Sequence, residues 1–137
     1  MQDQNSTITQ VYVCISCRTP GQPLEPRSER AGAVLYARLR DHPGAADAAI
    51  RLVPVDCLSV CKRPCTVGYA APGKWTYVYG DMPDASFTDT ILAGAKLYAA
   101  APDGLIPWKQ RPDALKKNVV ARIPPLPAAA LPMEPTS

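Results

Sequence analysis

The stretch Ile8-Thr9-Gln10-Val11-Tyr12-Val13-Cys14-Ile15-Ser16-Cys17 decides how the rest of this chain is read. Its first six residues are mostly β-branched or aromatic and favour an extended strand, which ends at Cys14. Past Cys17, Arg18 to Pro26 holds three prolines and a glycine, so the chain leaves the strand as a loop. Ser28, with Glu25 and Glu29 beside it, then opens a helix to about Arg40. Ala31, Val34, Leu35 and Leu39 recur at helical spacing, and His42-Pro43-Gly44 stops the helix. Ile50 to Val55 is a second strand, running straight into Cys57.

Further along, Thr66 to Ala71 and Trp75 to Tyr79 read as strands joined through Pro72-Gly73. Proline followed by glycine suits a type II turn, because glycine accepts the positive φ that the second position needs. A long helix over roughly 84–100, capped by Asp84 or Ser86, carries the buried stripe Phe87, Ile91, Ala95 and Tyr98. The order is β-α-β-β-β-α, an α/β arrangement of thioredoxin-like type. Pro112 to Arg122 reads as a short third helix with Leu115 and Val119 facing inward. The segment Ile123-Pro124-Pro125-Leu126-Pro127 through Ser137 is rich in proline and alanine and is expected to run extended over the surface or without fixed structure. Its Pro124-x-x-Pro127 follows from that composition. Residues 1–111 are thus expected to form one thioredoxin-like domain, with 112–137 a C-terminal extension ending in a proline-rich tail.

The 137 residues suffice for one domain with its own apolar core. The net charge is only +3, and Lys and Arg look scattered, so nucleic-acid binding is not expected. No apolar run approaches the ~20 residues of a membrane span. The start, Met1-Gln2-Asp3-Gln4-Asn5-Ser6, lacks the features of a secretory signal. A cytoplasmic protein with reduced thiols is expected, and five cysteines make an odd number for a closed disulfide framework.

The cysteines form two clusters, Cys14/Cys17 and Cys57/Cys61/Cys65. A strand–helix–strand unit within one sheet is right-handed with parallel strands in ~98% of cases. The C-terminal ends of both strands then share one rim, where open α/β sheets usually carry their ligands. Cys14, Cys17, Cys57 and Cys61 are therefore expected to meet. Buried free cysteines scattered through a core would not all follow strand ends.

Four thiolates suit a Cys₄ zinc site or a [2Fe–2S] cluster, and spacing alone leaves both open. A redox dithiol is a third reading. There the C-x-x-C opens a helix whose dipole lowers the thiol pKa. Here the helix begins about ten residues after Cys17, so no dipole is expected to reach the pair. A chain with its own core has little need of zinc for folding. The sole histidine, His42, sits in a turn and reads as a solvent-exposed loop residue. Trp75, Tyr77 and Tyr79 either shield a cluster or pack across the strands. No nucleophile–base pair, phosphate loop or paired carboxylates stand out, so the chain is not read as an enzyme.

The segment Asp56-Cys57-Leu58-Ser59-Val60-Cys61, followed by Lys62-Arg63-Pro64-Cys65-Thr66-Val67-Gly68-Tyr69, resembles the C-L-x-x-C segment of thioredoxin-like [2Fe–2S] ferredoxins. The same segment occurs in the 24-kDa-type subunit of NADH:quinone oxidoreductase. The likeness extends over about residues 8–100. It implies an electron-transfer protein whose [2Fe–2S] cluster is held by Cys14, Cys17, Cys57 and Cys61, with zinc the alternative metal. It further implies a redox protein as partner and a homodimer. The first pair in those ferredoxins is spaced more widely, and Cys65 is additional, a candidate substitute ligand. The chain is also similar to a group of small bacterial proteins described as predicted metal-binding and ferredoxin-like, loosely associated with cobalt and corrinoid metabolism. That likeness includes Ile106-Pro107-Trp108, Arg111-Pro112 and Val120-Ala121-Arg122-Ile123-Pro124-Pro125. Next to a cluster of charge −2, Arg18, Lys62 and Arg63 would favour reduction.

Overall fold

Alternation along the first strand sets which side of the sheet becomes core. Thr9, Val11 and Val13 are buried while Gln10 and Tyr12 stay half-buried, the period-two pattern of a strand with one covered face. The computed structural model describes residues 8–59, 63, 65–82 and 87–125. Within them lie β1 (Thr9–Cys14), α1 (Ala31–Asp41), β2 (Ile50–Val55), β3 (Val67–Ala70), β4 (Thr76–Tyr79), α2 (Phe87–Ala100), α3 (Asp113–Lys117) and β5 (Val119–Ile123). Short 3₁₀ turns occupy Arg27–Glu29, Pro43–Ala46 and Trp108–Gln110. The expected start of the second long helix, with its caps Asp84 and Ser86, lies outside the described residues.

The five strands lie in the order β2-β1-β3-β4-β5. β1 and β2 run parallel, from Thr9 opposite Ile50 to Cys14 opposite Val55. The other pairings are antiparallel. β2 is an edge strand, which is why it tolerates Pro54. Val55 turns its carbonyl to Ile15 N–H at 2.9 Å, so the proline nitrogen one residue earlier faces the open edge. Both long helices cover one face, α1 packing on β1 and β2 and also on α2. Val11, Val13, Tyr69, Tyr77 and Tyr79 from the sheet meet Leu35, Leu39, Ile91, Leu92 and Tyr98 from the helices. Burying each large apolar side chain contributes about 1.5–3 kcal/mol.

The Pro72-Gly73 turn is as expected. Gly73 has φ +75°, and Lys74 N–H donates to Ala71 at 3.1 Å. The end of the chain is not. The expected helix over 112–122 is only Asp113–Lys117, and Val119–Ile123 is instead a strand hydrogen-bonded to β4. Leu115 is buried as expected, but Val119 sits half-buried opposite Tyr79. The reason is competition for β4's outer edge. A five-residue helix is too short to hold itself, whereas Val119 and Val120 are good strand formers beside unpaired ladder groups. The sheet therefore draws on residues from both sides of position 111. The Leu126–Ser137 part of the expected tail lies outside the described residues.

Trp75, Tyr77 and Tyr79 separate into two roles. Tyr77 and Tyr79 stack at 5.6 Å, and with Tyr69 and Tyr98 they form a buried four-tyrosine cluster under α2. Trp75 lies under the Arg122 guanidinium at 5.1 Å. Both arrangements are packing, at a distance along the strands from the cysteine rim for all but Tyr79.

Candidate functional site

Parallel pairing of β1 and β2 brings the two cysteine loops to one edge of the sheet, and Asp56 joins them. Its backbone carbonyl accepts a hydrogen bond from the Ser16 hydroxyl and lies 4.0 Å from the Cys14 sulfur. Its carboxylate takes Arg27 at 2.8 Å. The second loop is also held from the far side. Asp81 N–H donates to the Arg63 carbonyl at 3.1 Å, and Arg63 Nε pairs with Asp81 Oδ2 at 2.7 Å. Gly80 is required there, since a Cβ would stand 2.7 Å from the Arg63 carbonyl oxygen. Ser59 and Asp81, with φ of 61° and 59°, are the non-glycine residues of left-handed backbone among the described residues. Both belong to this second loop or its support, so local strain is concentrated at the rim.

Three of the thiols are inside. Cys14 is 3% exposed, and Cys17 and Cys65 are buried with it, while Cys57 is exposed and takes the Ser59 amide on its sulfur at 3.2 Å. Cys61 lies outside the described residues, as does Lys62. The neighbouring Cys17 side chain holds the Cys14 thiol down to about 5, against the counteracting effect of burial. Ser16 and the backbone amide of Leu58, from the second loop, help. Cys17 is pushed up, first by the Cys14 side chain and then by burial, and its thiol donates to Thr66 Oγ1 at 3.9 Å. Burial, and then the Cys14 charge, raise Cys65 to about 12.

The start of α1 lies closer to the first cysteine loop than chain distance suggests. The loop after Cys17 doubles back, and Gly32 in the first turn of α1 donates its amide to the Cys17 carbonyl at 3.0 Å. A Cβ on Gly32 would stand 2.0 Å from the Cys14 carbonyl oxygen, so only glycine lets the helix approach this closely. Gln22 holds the return, accepting from the amides of Thr19 and Ala31 at 3.1 Å each and donating to the Glu29 carbonyl at 2.7 Å. The partial positive charge of the α1 start therefore faces the first cysteine loop.

Arg30, which the sequence did not single out, caps that helix start. It is 8% exposed and donates to the Leu24 and Ser16 carbonyls, with no carboxylate partner among the described residues. Nothing in the run Arg27-Ser28-Glu29-Arg30 marks the last arginine as the buried one. The cations that were singled out behave differently: Arg63 is neutralised by Asp81, and Arg18 reaches the Gln22 carbonyl at the surface. His42 lies between the end of α1 and the 3₁₀ turn that packs on β2, and is not fully exposed. Its Nδ1 accepts from Gly44 N–H at 2.8 Å while Nε2 meets Asp89 at 2.5 Å, tying α1 to α2.

Among the described residues, no three Cys, His, Asp or Glu side chains close on one point as a finished metal site. The donors nonetheless fit a thiolate-bound metal in kind. They are all sulfur, the Cys14 thiol is held well below its ordinary value, and the Ser59 amide donates to the Cys57 sulfur. Cys14 and Cys17 from the first loop and Cys57 from the second would hold such a group, and Cys65 is a further, buried thiol.

The fold is a thioredoxin-like α/β arrangement with two cysteine loops at one rim of its sheet. The chain belongs to the family described as a protein of unknown function, DUF1636, whose model matches residues 11–125. Among solved structures it is similar to a thioredoxin-like [2Fe–2S] ferredoxin from Aquifex aeolicus, with a TM-score of 0.54 and 17% identity. That match covers 84% of this chain and 92% of the other, and at such identity it shows the fold. No curated protein matches.

Proposed function

We propose that this protein carries electrons on a [2Fe–2S] cluster held by Cys14, Cys17, Cys57 and Cys61, and exchanges them with a redox protein. The observation that carries the reading is the convergence of both cysteine loops on Asp56. The carbonyl next to Cys57 faces the Cys14 sulfur, and the Leu58 amide helps hold Cys14 as a thiolate. Iron–sulfur clusters are bound by thiolates, and hydrogen bonds to the sulfurs tune their potential. The start of α1 and the buried Arg30 add positive charge at the same place, which favours the more negative, reduced cluster. The ferredoxin likeness of the fold supports the reading independently.

Burial weighs against disulfide exchange with other proteins. An attacking thiol needs access, and Cys14 is 3% exposed.

Anaerobic purification tests the proposal. The protein is expected to be coloured, with equal iron and sulfide and a paramagnetic signal on reduction. A colourless protein with one tightly bound zinc per chain would replace this reading with a structural or metal-handling role.

A further inference from the structure

The net positive charge of this chain resides in one segment. Residues 105–125 contain five Lys or Arg against one Asp, a balance of +4, whereas the whole chain carries +3. At its centre stands Trp108, 58% exposed. Arg111 and Lys116 each lie 5.3 Å from its ring centroid, and Lys109 and Lys117 beside them are exposed. Among the described residues no carboxylate forms an ion pair with any of these four cations.

Arg111 is fixed in place. It donates from Nε to the Ile106 carbonyl at 2.8 Å and from Nη2 to the Tyr77 hydroxyl at 3.1 Å, and it stacks on the Tyr77 ring. Tyr77 stacks in turn on Tyr79, whose neighbour across the sheet is Val67, two residues past Cys65. A continuous line of contacts therefore runs from the cysteine rim to the exposed tryptophan.

We propose that the face formed by Trp108, Lys109, Arg111, Lys116 and Lys117 is a docking surface for an acidic protein. That the partner is a redox protein rests on the electron-carrier reading above; the surface itself does not. Tryptophan and arginine dominate binding hot spots, and unpaired like charges steer a partner of opposite sign. Two alternatives fit less well. A symmetric contact between two copies would set this positive face against itself. Nucleic-acid platforms need an open aromatic face for base stacking, and two cations already lie over Trp108.

The test uses the full chain and labelled poly-L-glutamate, with DNA of similar length, followed by fluorescence anisotropy at low and physiological salt. The double variant Lys116→Gln/Lys117→Gln is compared with Arg38→Gln/Arg40→Gln, which removes the same charge from exposed positions on α1. The first is expected to weaken polyglutamate binding by about tenfold or more and the second by less than about twofold, with Trp108→Ala also weakening it about tenfold. Equal losses from both double variants would reduce the effect to general charge and overturn the proposal. So would absence of binding, or tighter binding of DNA through the same residues. The readout needs no iron: failure here leaves the cluster reading intact, and intact docking by a protein without a cluster rejects that reading alone.

Discussion

The Gly32 amide and the Cys17 carbonyl are hydrogen-bonded at 3.0 Å, so the first turn of α1 is tied directly to the first cysteine loop. Helix packing and cysteine geometry are thereby coupled through a single glycine. In Gly32→Ala the new Cβ meets the Cys14 carbonyl oxygen at 2.0 Å, and backbone cannot yield as a side-chain tip can. The variant is expected to lose about 1–3 kcal/mol or more in urea unfolding, and to retain less iron per chain than wild type after anaerobic purification.

The Cys14–Cys17 pair makes stability depend on pH in the metal-free protein. Folding lowers Cys14 from 9.0 to about 5. Between those values the unfolded chain binds one proton more than the native protein, so this contribution grows as pH rises from about 5 to 9 and is lost as pH falls through 5. Cys17, raised by folding, acts oppositely and costs stability above pH 9. Urea midpoints across this range should rise and then turn over. In Cys14→Ser the rise between pH 5 and 9 should flatten.

The thiols should differ sharply in reactivity. Cys57 is exposed, whereas Cys65 is buried and raised to about 12. Mass spectrometry after brief alkylation of the metal-free native protein near pH 8 is expected to show Cys57 modified well before Cys14, Cys17 or Cys65. Cys65→Ala should keep the visible spectrum, while Cys14→Ser, Cys17→Ser and Cys57→Ser each abolish it. Loss of colour in Cys65→Ala would make Cys65 a ligand.

Lys74 is buried at the end of α2, where its ammonium donates to the Tyr98 and Ala99 carbonyls and lies over the Tyr98 ring. It answers carbonyls of the last turn and the negative end of that helix. Desolvation lowers its pKa, and the charge of Asp103 works in the opposite direction. Lys74→Met keeps the volume and removes the charge, and is expected to cost about 1–2 kcal/mol in thermal or urea unfolding.

Much of the fold was legible because local signals agreed with one another. The β-branched run before Cys14, the helical spacing of Leu35 and Leu39 and the Pro72-Gly73 turn each require only neighbours in the chain. Handedness then made β1 and β2 parallel and brought Cys14 and Cys57 to one rim. Three features depended on distant partners and could not be read this way. Val119 to Ile123 became a strand because β4 had an open edge. The start of α1 met Cys17 because Gln22 folds the proline loop back. Arg30 became buried because that same return covers it. The charge pattern was present in the sequence but looked scattered until residues 105–125 were seen as one surface.

The pairing of β5 with β4 also bears on how the chain emerges during synthesis. Every other strand of the sheet precedes residue 80, so the outer edge of β4 waits some forty residues for Val119–Ile123 to arrive. Throughout that interval the nascent protein presents an open row of backbone donors and acceptors beside buried-type side chains, a template for the wrong neighbour. The last strand among the described residues thus covers an edge that would otherwise stand open.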